Sequence, residues 1–325
     1  MAAKYISMIK KRSTNLLVLS ASFIITFLAL LTTVNIVYKA IPFAYAQTNA
    51  ARLASTATTA TVIANDSGIA NNSITNTNNT NSNEGLQIKK NIKYFDSSSG
   101  YLVYPLTIAG TNGTAVDTSK KLPAVIMIHE YWGINDNMRS MANTLAKQAG
   151  YVVFAVDLFK GQSTQDPNQA MQLVKTARAN PQEAISNLEA AVSYVTSLPF
   201  VDASKVASIG WCFGGGQSLQ LALHSDQHPL SATILYYGTP LVIDKQELSK
   251  IKWPVLGIFG DQDKAIPVEQ IQQFKAALDA DGITNEVHIY KGLGHAFANP
   301  SGPSYAPKET ADAWQKTLAF LQKYL

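Results

Sequence analysis

From about residue 89 to the C-terminus, apolar positions follow two alternating patterns. Short unbroken runs such as Ala124-Val125-Ile126-Met127-Ile128 suit strands covered on both faces. They predict strands over 92–96, 102–108, 124–129, 152–157, 206–210, 232–237, 255–259 and 286–290. Between them lie amphipathic stretches that predict helices over 137–148, 181–198, 216–224, 268–281 and 308–324. Two opening strands followed by strand–helix alternation define the α/β class, with a mainly parallel central sheet and helices on both faces. No internal repeat interrupts the series.

The N-terminal part has a different texture. Lys10-Lys11-Arg12 leads into an apolar stretch over 16–37, then Ala44-Tyr45-Ala46 before Gln47. A basic start, an apolar middle and a small-residue end are the parts of a secretory signal peptide. An apolar stretch of roughly 20 residues also spans a bilayer, so an uncleaved membrane anchor with its basic end in the cytoplasm is the alternative. Either way the expected localisation is exported: secreted, or anchored at the outer face of the cell membrane. Residues 47–88 are rich in Thr, Asn, Ser and Ala without apolar periodicity. Such a segment buries too little to offset its ordering entropy and reads as a disordered tether. Sequons at Asn65, Asn71, Asn78 and Asn112 are glycan acceptors if the host glycosylates, although Asn-rich tracts also produce them by chance. The expected organisation is a leader over 1–46, a tether over 47–88 and the α/β domain over 89–325.

Composition narrows the function. With 46% hydrophobic residues the chain can bury a real core. The formal charge of +4 includes Lys4, Lys10, Lys11, Arg12 and Lys39 in a leader without acidic residues, and subtracting those five leaves −1 for the remainder. A near-neutral body lacks the basic footprint of phosphate binding, so nucleic acid is not an expected partner. The single cysteine, Cys212, permits neither an intramolecular disulfide nor a four-thiolate zinc site. Absence of disulfides ordinarily suggests a reducing compartment and pulls against the leader. The leader outweighs it, because a domain of this size folds without covalent staples.

The predicted strand at 206–210 runs into Gly210-Trp211-Cys212-Phe213-Gly214-Gly215-Gly216, after which a helix begins. This is a nucleophile elbow with Cys in the Ser position. The glycines allow a sharp, strained reversal that side chains would block. The following helix points its N-terminal N–H groups and positive dipole end at the thiol, favouring thiolate. A base is expected from Gly292-Leu293-Gly294-His295, after the last strand. Among the other histidines, His288 alternates with apolar neighbours and is expected to face solvent, while His224 and His228 stand at metal-ligand spacing but at a fraying helix end. His129 ends a strand near the site and reads as a substrate or structural group. The orienting carboxylate is expected in Gly260-Asp261-Gln262-Asp263, where the spacing favours Asp263 with Asp261 as the alternative. Oxyanion-hole donors are expected from the backbone N–H of Phe213 and of Tyr131. Trp132 and Trp211, with Phe213 and Tyr131, are either a substrate wall or plain core.

These motifs resemble the dienelactone hydrolase family of the α/β-hydrolase superfamily, from about residue 123 to the end. The resemblance rests on the elbow, His129-Glu130-Tyr131-Trp132-Gly133-Ile134-Asn135, Tyr151 through Asp157-Leu158-Phe159, Gly260-Asp261-Gln262-Asp263 and Gly294-His295-Ala296-Phe297. It implies a Cys212, His295 and Asp263 triad that acts on small cyclic or enol esters through an acyl-enzyme, without a cofactor or metal. It also implies that Glu130 sits beside the cysteine and controls its protonation. The sequence departs from the family where a substrate-gripping arginine is expected and Asn299 stands. A second such arginine, expected near 166–170, has no counterpart, and Arg178 lies too far along. The reaction class is therefore expected to carry over more securely than the substrate. The rival readings are a general carboxylesterase, a peptide hydrolase or a thioesterase on the same scaffold, and a tethered surface protein that only binds a ligand. Loss of a triad residue would favour the last, and all three are present.

Overall fold

All eight predicted strands form: β1 (Leu86–Phe95), β2 (Ser98–Pro105), β3 (Leu122–Ile128), β4 (Val152–Val156), β5 (Val201–Trp211), β6 (Ala232–Tyr236), β7 (Val255–Gly260) and β8 (Asn285–Tyr290). They join in one sheet in the order β1-β2-β4-β3-β5-β6-β7-β8. β1, β2 and β4 pair antiparallel in succession, whereas β3 to β8 run parallel. This computed structural model describes residues 85–106 and 121–325, all within the unit Thr77–Leu325. The leader, nearly all of the expected tether, the four sequons and the end of the strand expected over 102–108 lie outside the described residues.

One boundary moves. β1 starts at Leu86, inside the segment read as tether, with Leu86 and Ile88 packed on the core. An irregularity between Lys89 and Ile92, with Asn91 at φ 56°, breaks the alternation there and conceals the first half of the strand.

The helices are α1 (Asp136–Ala149), α2 (Pro167–Ala179), α3 (Pro181–Thr196), α4 (Phe213–His224), α5 (Lys245–Leu248), α6 (Val268–Ala280) and α7 (Pro307–Tyr324). α2 and α5 add to the five expected. α1 buries Met138, Ala142, Leu145 and Ala146, one stripe at helical spacing. The Asn135 side chain accepts from Met138 N–H at its start, and Gly150 at φ 74° closes its end. The β3-to-β4 step runs toward the β1 edge, and the β4-to-β5 step runs back. Right-handed crossovers therefore put α1 on one face and α3 and α4 on the other. α7 joins α1, where Trp314 Nε1 donates to Gln148 Oε1 at 2.7 Å. The loops that carry the candidate chemistry all leave the carboxyl ends of the parallel strands, where open α/β sheets bind their ligands.

Candidate active site

Cys212 is the single residue between β5 and α4, at φ 54° and ψ −118°. A side-chain-bearing residue at positive φ is strained and persists only where its surroundings hold it. Here its N–H donates to Tyr236 O at 3.0 Å, and its C=O accepts from Gly216 N–H and Thr239 N–H, each at 3.2 Å. The glycines are a packing requirement. A Cβ on Gly210 would stand 2.1 Å from Gly214 O, and one on Gly214 would stand 2.3 Å from Ile128 O. Phe213 opens α4, so its N–H has no acceptor within the helix.

The loop after β8 brings His295 to this elbow. Gly292 N–H donates to Asp261 Oδ1 at 2.7 Å, and Gln262 N–H donates to Leu293 O at 2.8 Å, so the β7 and β8 loops are stitched together. Asp263 is 4% exposed; its Oδ1 accepts from Ala265 N–H at 2.8 Å and its Oδ2 from His295 Nδ1 at 2.7 Å. With Nδ1 engaged, His295 Nε2 stands 3.1 Å from Cys212 Sγ. The three sequence candidates are thus in contact in the order Asp263, His295, Cys212, and Asp261 braces the loop without reaching the imidazole. Burial works against charge on His295, but the hydrogen bonds and negative charges of Asp263 and of the Cys212 thiolate outweigh it and raise its pKa to about 10.

Glu130 follows β3 at the same edge. Its Oε1 accepts from Tyr237 OH at 3.4 Å and its Oε2 from Asn299 Nδ2, with no hydrogen bond to Cys212 among the described residues. Burial pushes its carboxyl up to about 7, while the His295 charge and the two neutral donors pull the other way less strongly. Asn299 and Tyr237 are therefore part of the site. The sequence drew attention to Asn299 only as a missing arginine, and to Tyr237 only as the end of a strand. The His129 ring, fully buried, approaches Glu130 O through Nδ1 at 2.6 Å and accepts from Leu158 N–H at Nε2, 3.2 Å. One tautomer satisfies both bonds, with the proton on Nδ1. Because C=O and N–H of a trans peptide point in opposite directions, this bond turns the Tyr131 N–H away from His129.

The remaining candidates are placed as follows. Trp211 is 2% exposed and packs at a tilt on Tyr236 (5.3 Å between centroids), so it is a core residue with an edge on two neighbouring cavities. Phe213 is buried against His129 and Phe159, whereas Trp132 is half-buried against Tyr131. His288, expected to face solvent, is only 33% exposed in its side chain, 3.7 Å from Glu286. His224 Nδ1 bonds to Gln220 O within its helix, and His228 bonds to Ser193. Arg178 donates to Thr239 O at 2.9 Å and so holds α2 against the loop behind the elbow. Asp157, quoted for the resemblance, is a structural hub whose carboxylate accepts from Ser99, Phe159 and Gly161 N–H.

The profile of the dienelactone hydrolase family matches residues 109–325. The chain is 29% identical over 210 residues to Protein usf of Aquifex pyrophilus, covering 62% of this chain and 89% of that one. It is 30% identical over 246 residues to a candidate carboxymethylenebutenolidase of Saccharolobus solfataricus, with the same coverage of 62% and 89%. Among solved structures, a candidate dienelactone hydrolase from Klebsiella pneumoniae superposes with a TM-score of 0.62 at 24% identity, over 74% of this chain and 98% of that one. A dienelactone hydrolase-like promiscuous phosphotriesterase from metagenomic libraries gives a TM-score of 0.64 at 22% identity, over 74% and 99%. The fold is that of the α/β-hydrolases, and the chain belongs to the dienelactone hydrolase family, hydrolases of ester and lactone bonds.

Proposed function

We propose that the protein cleaves a small ester or lactone by acyl transfer through Cys212, with His295 as proton carrier and Asp263 as its orienter. The observation that carries this reading is the unbroken contact chain from Asp263 Oδ2 through His295 to Cys212 Sγ, at 2.7 and 3.1 Å. The thiolate attacks the carbonyl carbon, and the carbonyl π pair moves onto oxygen. The N–H groups of Phe213 and Tyr131 are the proposed donors to that oxyanion; such a donor is typically worth about 3 kcal/mol. The tetrahedral intermediate expels the alkoxide, which takes the proton from His295 Nε2 and leaves a thioester on Cys212. Water then gives its proton to His295 and attacks the thioester, and the thiolate leaves with the acid as product. Asp263 holds the imidazole tautomer and balances the imidazolium. Glu130, in charge contact with His295, controls the protonation of the Cys212–His295 pair.

The test is hydrolysis of p-nitrophenyl acetate and of a simple enol-lactone under reducing conditions, beside Cys212→Ala. The expected loss is at least about a thousandfold in kcat/KM. Equal rates in the two proteins would remove Cys212 as nucleophile. From the composition of the leader we also propose that the hydrolase unit works on the outer side of the cell membrane.

A further inference from the structure

On the face of the sheet that carries α1 and α7 lies a crevice of about 300 Å³, walled by Met141, Trp211, Tyr236, Ala298, Pro300 and Trp314. None of its lining residues is charged. It opens at Tyr305, which is 40% exposed, and between the exposed positions Thr144 and Ala311. Beside it lies a narrow cavity bounded by Glu130, Tyr237 and Asn299, and the two share Asn137, Met141, Trp211 and Ala298 as walls. Only these shared side chains stand between the solvent-open crevice and the cavity behind the Glu130–Asn299 pair. One of its walls immediately precedes Cys212 and another follows His295 by three residues. None of the steps assigned to Cys212, His295 and Asp263 uses it.

We infer that this crevice is a substrate subsite that houses an apolar, uncharged substituent of the ester; the inference rests on the reading of Cys212 as nucleophile. Its size is at the lower end of ligand pockets, about 300–1,000 Å³, and suits a short alkyl or small aryl group. Its walls contribute aromatic, thioether and proline surface without a cation to hold a carboxylate. The neighbouring cavity has no cation among its lining residues either, and its one carboxyl, Glu130, offers an anionic substituent no counter-charge. The position, at the carboxyl edge of β5 and β6 with the residue before the nucleophile as a wall, distinguishes it from a packing gap elsewhere in the fold.

The experiment uses the full chain and two substrate series. One lengthens the acyl chain on a constant leaving group, from p-nitrophenyl acetate through butanoate and hexanoate to octanoate. The other lengthens the alcohol of an acetate from methyl through butyl to hexyl. In one series kcat/KM is expected to rise about fourfold per added methylene over at least two methylenes, and that series identifies which side of the ester occupies the crevice. The p-nitrophenyl hemisuccinate is expected to react at least about tenfold more slowly than the butanoate, because its carboxylate would be buried without a partner. Thr144→Trp and Ala311→Trp fill the mouth from exposed helix positions outside the catalytic machinery. They should abolish the gain with length and leave the acetate rate unchanged. Flat dependence in both series, a gain that survives both variants, or preference for the hemisuccinate would overturn the subsite while leaving thiol catalysis standing. Hydrolysis that does not depend on Cys212, or none with any ester, would instead refute the proposed function, and the subsite would fall with it.

Discussion

Glu130 is the carboxylate of the site with the weakest support for its charge. Asp263 has a backbone donor and an imidazolium, whereas Glu130 has two neutral donors, Asn299 and Tyr237, and a pKa pushed up to about 7 by burial. A folded-state pKa raised above the unfolded one means that the native chain holds the extra proton. The corresponding stability is complete below about pH 4.5 and is lost as pH rises through about 7. Glu130→Gln should therefore gain stability relative to the parent on going from pH 5 to pH 8, by about 2–3 kcal/mol in urea unfolding. A constant difference across that range would show that Glu130 is ionised throughout. Asp263→Asn should keep the fold and lose about four decades in kcat, because the amide cannot hold the same tautomer; stopped assays on folded protein check it. Cys212, Asp263 and His295 were legible in the sequence because each sits in its own local signal of glycines and spacing. The Glu130 environment was not, since its partners lie 169 and 107 residues away and nothing local marks them.

The same contrast between local and distant causes governs the elements. β3, β4, β6 and β7 were readable as unbroken apolar runs because both their faces are covered. α2 was missed because only Ala170 and Val174 are buried, too few to impose a helical period. Its start was nonetheless written in Asp166-Pro167: the Asp166 carboxylate caps Asn168 and Gln169 N–H, and proline occupies the first turn. Asp166→Ala should cost about 1 kcal/mol in thermal or urea unfolding. At the elbow the element is unforgiving. Gly214→Ala, in the first turn of α4, drives a Cβ to 2.3 Å from the carbonyl of Ile128 in β3, a strand of the sheet interior. The expected result is a loss of at least about 2–3 kcal/mol or failure to fold, read by circular dichroism and unfolding. Full stability in that variant would mean that α4 does not approach β3 as described.

At the scale of the whole molecule, the sheet order converts residues scattered over the chain into one edge. Glu130 after β3, Cys212 after β5, Tyr237 after β6, Asp263 after β7 and His295 after β8 all emerge at the same ends of parallel strands. That is why the fold class and the meeting of three candidate residues followed from the sequence, while the crevice between α1 and α7 required the packed structure. The proposed export makes its own prediction: if residues 1–46 are a cleaved signal, exported protein should begin at Gln47, and N-terminal sequencing of the cell-free fraction tests this. An intact leader on a cytoplasmic protein would contradict the proposed export. Acyl transfer leaves a covalent bond on the protein, and the single cysteine makes it directly observable. The full chain, mixed with p-nitrophenyl acetate and quenched in acid during turnover, should carry one acetyl group on the peptide containing Cys212, and His295→Ala should slow its appearance. Turnover with no acyl group on that peptide, or with the group on another residue, would contradict acyl transfer through Cys212.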